Sequence, residues 1–464
     1  MWQSLMVMGA ALWAAQAQAF CGFYVGKADS SLWNEASQVI LSRDGPRTVI
    51  SMLNDYKGEL SEFALVVPVP TVLERSQINI GEALIFDRMD AYSAPRLAEY
   101  FDADPCRPRV AMAAAPSMAM RSQAEMSKAL GVTVEAAYTV GEYDIVMLSA
   151  TQSDGLETWL KQNGYRLPEG ASRALAPYIK QGMKFFVAKV NLKEQAKTGF
   201  TKLRPLQFAF ESNRFMLPMR LGMLNADANK PQDLIVYVLT RNGRVESSNY
   251  RTLKLPANMD LPVHVRPDFK NFYRAMFEEQ AKRESYKVVW TEYFWDMSWC
   301  DPCAANPLSG DELRKAGVHW LTPAAEVPSA TAAGVLPRRG GPMPAPAGAQ
   351  PVMLTRLHLR YTSDSFPEDL MLTETKDREN YQTRYVIRHP WKAKDQEKSE
   401  CEAGKNYLQE LIRRQEEEAK QLATLTGWDI NEIRSKMKLP GAVNGTGNPP
   451  KPLKNWWENL WGRR

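Results

Sequence analysis

Residues 36–53 read ASQVILSRDGPRTVISML. Two apolar, β-branched runs, 36–42 (ASQVILS) and 48–53 (TVISML), flank Arg43-Asp44-Gly45-Pro46. Such residues suit a pleated, half-buried surface. Asp-Gly between two runs of this kind is a hairpin signal, because glycine accepts the positive φ that a tight turn requires. A third run, 63–69 (FALVVPV), follows. Pro68 and Pro70 have no N–H to give to a ladder, so this run is predicted to end at a sheet edge or outside the ladder.

The strand pattern continues along the chain. Residues 143–148, 183–190, 206–210, 234–239, 250–255, 287–294, 352–361 and 382–388 all read as strands. Helices are predicted over 85–101, over 155–163 (GLETWLKQN) and over 268–279. In the last of these, Phe269, Phe272, Tyr273, Met276 and Phe277 fall at i, i+3, i+4, i+7 and i+8, one apolar stripe. A stripe of this spacing is core before it is a cofactor box. Residues 402–438 are predicted helical, and Arg413-Arg414 running into Glu416-Glu417-Glu418 reads as a solvated face. The fold expected is α+β, with antiparallel sheets covered by amphipathic helices, a long Ala/Pro/Gly loop and a helical C-terminal tail.

Two segments break the pattern. Residues 110–131 are rich in Ala and Met and read as a mobile insertion, with the methionines as flexible filler. Residues 322–351 are rich in Ala, Pro and Gly around Arg338-Arg339-Gly340-Gly341, too poor in apolar surface to order themselves. Between them, 20–109 and 132–321 form two α+β segments. Residues 352–395 supply closing strands, 396–440 the helical tail, and 441–464 a linker and Trp-rich end.

The chain has 464 residues with 58 Lys+Arg against 53 Asp+Glu, a net charge of +5, and 44% apolar residues. This composition excludes a disordered or collagen-like chain. A mean hydropathy of −0.40 excludes a polytopic membrane protein. The charge is too dilute to argue for nucleic acid.

The first residues are MWQSLMVMGAALWAAQAQAF. A short apolar stretch leads to Ala17-Gln18-Ala19, the A-x-A form cut by signal peptidase, so residues 1–19 read as a signal peptide and the chain as exported. No Lys or Arg precedes Lys27, so the usual basic n-region is missing. Phe20 before Cys21 argues against lipidation. Export implies an oxidising compartment, periplasm or cell surface, where the five cysteines at 21, 106, 300, 303 and 401 can pair. Two bridges and one free thiol allow fifteen arrangements, five leftovers times three pairings, and the sequence does not choose among them.

Several blocks now stand in order: CGFYVG after the leader, ASQVILSRDG, FALVVPVP, GEYDIVMLSA with its GLETWL helix, FMLPMRLGMLNA, WCDPC and LTRLHLRY. Together they resemble the bacterial exported proteins of domain-of-unknown-function family 2330, over roughly residues 21–388. The resemblance implies an exported bacterial setting; it brings no activity, cofactor or catalytic residue.

Catalytic signatures are absent from the sequence. There is no G-x-S-x-G, H-E-x-x-H, G-x-x-x-x-G-K-[ST] or G-x-G-x-x-G. No catalytic residue, metal ligand or cofactor is assigned. His264, His319, His358 and His389 are the only histidines and are far apart in sequence. His358, in Leu357-His358-Leu359-Arg360, reads as a surface or interface histidine on a strand. Carboxylate pairs such as Glu368 and Asp369 are given no role. Residues 224–229 offer oxygen side chains but lack the glycine and glutamate of a calcium loop, and read as a hairpin tip.

Two features carry chemistry. Trp299-Cys300-Asp301-Pro302-Cys303 is a Cys-x-x-Cys, read first as a structural staple between Cys300 and Cys303. It reads second as a thiol–disulfide site whose first thiolate would be activated at a helix N-terminus, with a helix expected over 309–315. A metal half-site is the third reading. At the C-terminus, Leu453, Trp456, Trp457, Leu460 and Trp461 share a helical face flanked by Lys451, Lys454, Arg463 and Arg464, a composition suited to a membrane surface or an envelope partner. The functional expectation is an exported envelope protein with a binding or structural role. The alternative is an oxidoreductase using Cys300 and Cys303.

Overall fold

The computed structural model describes residues 23–27, 33–57, 63–106, 137–149, 159–161, 165–166, 170–198, 203–222, 231–299, 301, 305–321, 350–362, 364–391 and 401–438. The hairpin lies where the sequence placed it. Strands Trp33–Asp44 and Arg47–Lys57 pair antiparallel, with Asp44 opposite Arg47. Gly45 turns the chain at φ 58°, with open space where a Cβ would stand, so backbone conformation alone asks for glycine there.

This hairpin lies within a nine-stranded sheet. Its order runs Arg251–Lys254, Val288–Asp296, Met353–Tyr361, Gln232–Thr240, Trp33–Asp44, Arg47–Lys57, Leu206–Glu211 and Ile78–Ile80, with Tyr381–Gln382 pairing to Val288–Asp296. A six-stranded sheet contains Phe63–Val69 and Lys184–Val190. The two sheets face each other. Val39, Leu41 and Ile50 of one meet Leu65, Val67 and Phe186 of the other in the largest core cluster. Neighbouring Ile40, Tyr237 and Leu354 point the opposite way, against the helix Ala83–Ser93. A third cluster packs the helix Phe269–Arg283 against Glu402–Thr426 through Phe272, Met276, Phe277, Ala419, Leu422 and Leu425. The large sheet is therefore buried on both faces, which is why its strands read as near-continuous apolar runs rather than as alternation.

The fold is α+β, and its pairing is mixed. Gln232–Thr240 runs parallel to Trp33–Asp44, and Arg251–Lys254 parallel to Val288–Asp296. A three-stranded sheet of Met259–Leu261, Arg384–His389 and Arg96–Phe101 is parallel throughout. Two further expectations change. The helix expected over 85–101 stops at Ser93, and Arg96–Phe101 is a strand. Pro95 pushes Ala94 to an extended ψ of 149°, which ends the helix. Phe63–Val69 is an interior strand: among the described residues Phe23–Lys27 pairs with it as far as Val66 on one side, while on the other Pro68 stands opposite Phe185. The tail is two helices, Glu402–Thr426 and Ile430–Met437, separated by a left-handed Gly427 and restarted by the Asp429 cap.

The leader, the Ala/Met-rich insertion, residues 224–229, nearly all of the Ala/Pro/Gly loop and the Trp-rich end lie outside the described residues. Of the helix expected over 155–163, residues 159–161 are described, and they are helical.

Candidate functional site

The strand Met353–Tyr361 carries Arg356, His358 and Arg360 at alternate positions, so three cationic side chains leave the same face of the sheet. They point under the helix Phe269–Arg283. Next to this strand, Val288–Asp296 has a bulge between Thr291 and Tyr293. Glu292 is the extra residue, and a bulge re-aims the side chain it inserts. Its carboxylate is fully buried and sits between two of the cations. One oxygen lies 2.6 Å from His358 Nδ1, and the other accepts from Arg356 Nε at 2.5 Å.

The helix closes over this pair. The Tyr273 hydroxyl donates to Glu292, and the Phe277 ring stacks on the His358 imidazole, centroids 3.7 Å apart. Outward along the strand, Arg360 grips Asp233 with both Nε and Nη2, at 2.7 and 2.6 Å, and reaches Glu278 at 2.6 Å. His358 Nε2 lies 3.6 Å from Asp233, close enough for charge attraction but too long for a hydrogen bond. On the other flank Arg356 Nη1 donates to Asp90 of the helix Ala83–Ser93 at 2.6 Å, and the Tyr237 hydroxyl donates to the same carboxylate at 3.2 Å.

Four acids, Asp90, Asp233, Glu278 and Glu292, thus face Arg356, Arg360 and His358. That balance favours imidazolium. Burial alone would raise the Glu292 pKa, but the charges of His358 and Arg356 hold it down to about 2. Burial would lower His358, yet Glu292 and Asp233 win and raise it above the usual histidine value. Asp233 behaves like Glu292: burial raises it, while Arg360 and His358 bring it to about 2. Chemically the arrangement is an electrostatic clamp, because both Glu292 oxygens are already engaged by protein groups. It fastens the sheet to two helices.

The histidine expected at a surface or interface is therefore a buried ion-pair member, 5% exposed. The signal that would have found it is the run of Arg, His and Arg at every second residue of LTRLHLRY: three like charges on one strand face need acids opposite them. Among the described residues no group of three His, Cys, Asp or Glu side chains converges as a metal site.

Of the tail's charges, Arg413 and Glu417 are exposed as expected of a solvated face, but Arg414 and Glu418 turn inward. Arg414 pairs with Asp102 at 2.7 Å, and Tyr407 donates to the same carboxylate at 2.7 Å. Glu418 is 3% exposed, and burial raises its pKa to about 8 against the opposing pull of Arg414. At the start of this helix Cys401 is bridged to Cys106. This bond assigns two of the five cysteines, leaving Cys21, Cys300 and Cys303.

Cys300 and Cys303 lie outside the described residues, as do Trp456, Trp457, Leu460 and Trp461. Asp301, between the two cysteines, is described. It is buried and accepts from the Tyr293 hydroxyl at 3.0 Å and from Gln382 Nε2 at 2.8 Å. The helix downstream, Gly310–Lys315, is capped by Ser309 with Glu312 closing a capping box. It starts seven positions beyond Cys303.

A cavity of about 280 Å³ opens at one end of the two-sheet sandwich. Its floor is apolar: Ile50, Pro68, Met183, Phe210 and Pro218. Gln181, Ser212, Asn213 and Arg214 form the rim. Arg43 stands behind the rim, over the Phe215 ring at 4.8 Å, and donates to the carbonyls of Ser212 and Arg214 at 3.0 and 3.4 Å.

Residues 15–373, more than three quarters of the chain, match the family described as an uncharacterized protein conserved in bacteria, DUF2330. The chain belongs to this family. No curated protein and no solved structure matches it. The DUF2330 match includes Glu292, His358 and the sandwich cavity. It stops before the strand Arg384–His389 and the two tail helices, which nonetheless complete the third core cluster.

Proposed function

We propose that this DUF2330 protein is exported and works in the bacterial envelope as a binding or structural protein. The observation that carries this reading is the Cys106–Cys401 bridge, which joins residues 295 apart in sequence. Disulfides persist in secreted and periplasmic proteins and are rare where thiols are kept reduced. The A-x-A leader agrees with it. The clamp around Glu292 supports a structural reading, since its acids and bases are committed to one another. The Trp-rich end, with its basic flanks, would bring the protein to an anionic membrane surface.

The oxidoreductase alternative is less well supported. A catalytic thiolate needs nearby positive charge or a helix N-terminus. Here Asp301, directly after the first cysteine, is a buried carboxylate, and the capped helix begins well downstream.

The test is expression of the whole chain in a bacterial host, followed by fractionation and thiol mapping. Protein in the envelope fraction, starting at Phe20, with Cys106 and Cys401 in one non-reduced peptide pair, is expected. Protein retained in the cytoplasm with both thiols open to alkylation would overturn the reading.

A further inference from the structure

The open end of the sandwich combines an apolar floor with a cationic rim, and the geometry points to a binding site for a small organic carboxylate with an apolar body. This inference rests on the binding reading above and names the ligand class for it. Pro68 and Pro70 line the cavity and contribute no backbone N–H, so this wall offers a ligand apolar contact rather than donors. Met183 and Phe210, both buried, complete the apolar side. A volume of about 280 Å³ is near the lower end of small-molecule pockets, about 300 Å³.

The charge comes from Arg214 and Arg43. Among the described residues neither forms an ion pair. Arg214 donates to the Gln181 side-chain oxygen, and Arg43 donates to the Thr48 hydroxyl and to two backbone carbonyls. Elsewhere the described arginines are mostly matched to carboxylates, as around Glu292; here Arg214 stands on the rim without one, and Arg43 behind it feels only the longer-range charge of Glu374. Arg214 is exposed at the rim with a planar fork suited to a carboxylate. Arg43 sits behind it, half-buried, and fixes the 212–214 backbone. An anion docked on Arg214 would place its apolar part on the proline wall. Convergence of a few polar groups over an apolar hollow is the usual form of a small-ligand site.

The probe is octanoate, titrated into the intact, oxidised protein by calorimetry and by ligand-observed NMR. Saturable binding is expected, with acetate and 1-octanol each at least about tenfold weaker, because each keeps only one of the two interactions. Arg214→Gln, an exposed substitution, should weaken octanoate about tenfold and leave 1-octanol unchanged. Arg214→Lys should retain part of the affinity. Met216 also lines the cavity, and Met216→Trp, which narrows it, should weaken both probes. Circular dichroism and melting confirm that each variant is folded. Absence of octanoate binding, or equal binding by Arg214→Gln and the parent, would overturn the proposal. Fractionation separates the two readings: an exported, bridged protein that ignores octanoate removes the carboxylate site and leaves the envelope role standing.

Discussion

Glu292 and His358 meet 2.6 Å apart, carboxylate oxygen to Nδ1, in a layer where neither exceeds 5% exposure. One comes from a bulge and the other from a regular strand, and the contact exists because the bulge displaces the side chain toward its neighbour. The pair ties sheet to helix, and its strength depends on pH.

The two pKa shifts have opposite signs. His358 is raised in the folded state, so its contribution is full below about 6.5 and fades as pH rises through the raised value. Glu292 is depressed to about 2, so its contribution is full above about 4.5 and fades as pH falls toward 2. Stability should therefore be greatest between about pH 4.5 and 6.5 as far as this pair is concerned. Urea midpoints across pH 3–9 measure it. His358→Gln should flatten the decline on the alkaline side; an unchanged alkaline limb would mean that His358 is neutral throughout.

Glu292→Gln should be severe. It leaves Arg356 and His358 buried without their shared counter-charge, a change that typically costs about 3–5 kcal/mol. Phe277→Ala, which only uncovers the imidazole and opens a cavity, belongs in a similar range of about 3–5 kcal/mol by a different route. Guanidinium denaturation distinguishes the two, because only the Glu292 variant should lose the acid limb of the pH profile.

Glu418→Gln should go the other way. Burial raises the Glu418 pKa to about 8, so the fold favours the protonated acid. A raised group stabilises fully below its unfolded value near 4.5 and loses that contribution as pH climbs through 8. Replacing the acid by a neutral isostere should leave the melting temperature unchanged near pH 5 and raise it by about 2 °C at pH 9. A drop at pH 9 would show that the Arg414 contact at 3.3 Å outweighs desolvation.

Reduction of Cys106–Cys401 should lower stability by about 2–4 kcal/mol, since the bond closes a long loop. Cys401→Ser should do the same and make reductant ineffective. Urea unfolding with and without dithiothreitol reads this directly. Proteolysis should then start at the N-terminal end of the tail helix, which is tied to the strand Arg96–Phe101 by Asp102 with Arg414 and Tyr407, rather than at its C-terminal half, where Ala419, Leu422 and Leu425 stay packed in the third core cluster.

The sequence by itself determined what is local. Asp44-Gly45 signalled the hairpin, and its two-residue turn is Gly45-Pro46 between the paired Asp44 and Arg47, with the positive φ taken by the glycine. The stripe from Phe269 to Phe277 placed a helix with one buried face, because side chains three and four apart share a side. Most strands were legible for the same reason. Strand direction was not: Gln232–Thr240 lies parallel to Trp33–Asp44 because sheet order is decided by packing between segments nearly two hundred residues apart. The clamp was equally hidden. Asp90, Asp233, Glu278, Glu292 and the cations of Met353–Tyr361 span almost 270 positions, and each looks like an ordinary surface charge until burial removes water and makes the partner obligatory. The choice of Cys106 for Cys401 and the gathering of Arg43 and Arg214 at an apolar cavity are of this second kind. Periodicity and turn chemistry act between neighbours in the chain, whereas charge pairing and cross-linking act between neighbours in space, and only the tertiary structure says which residues those are.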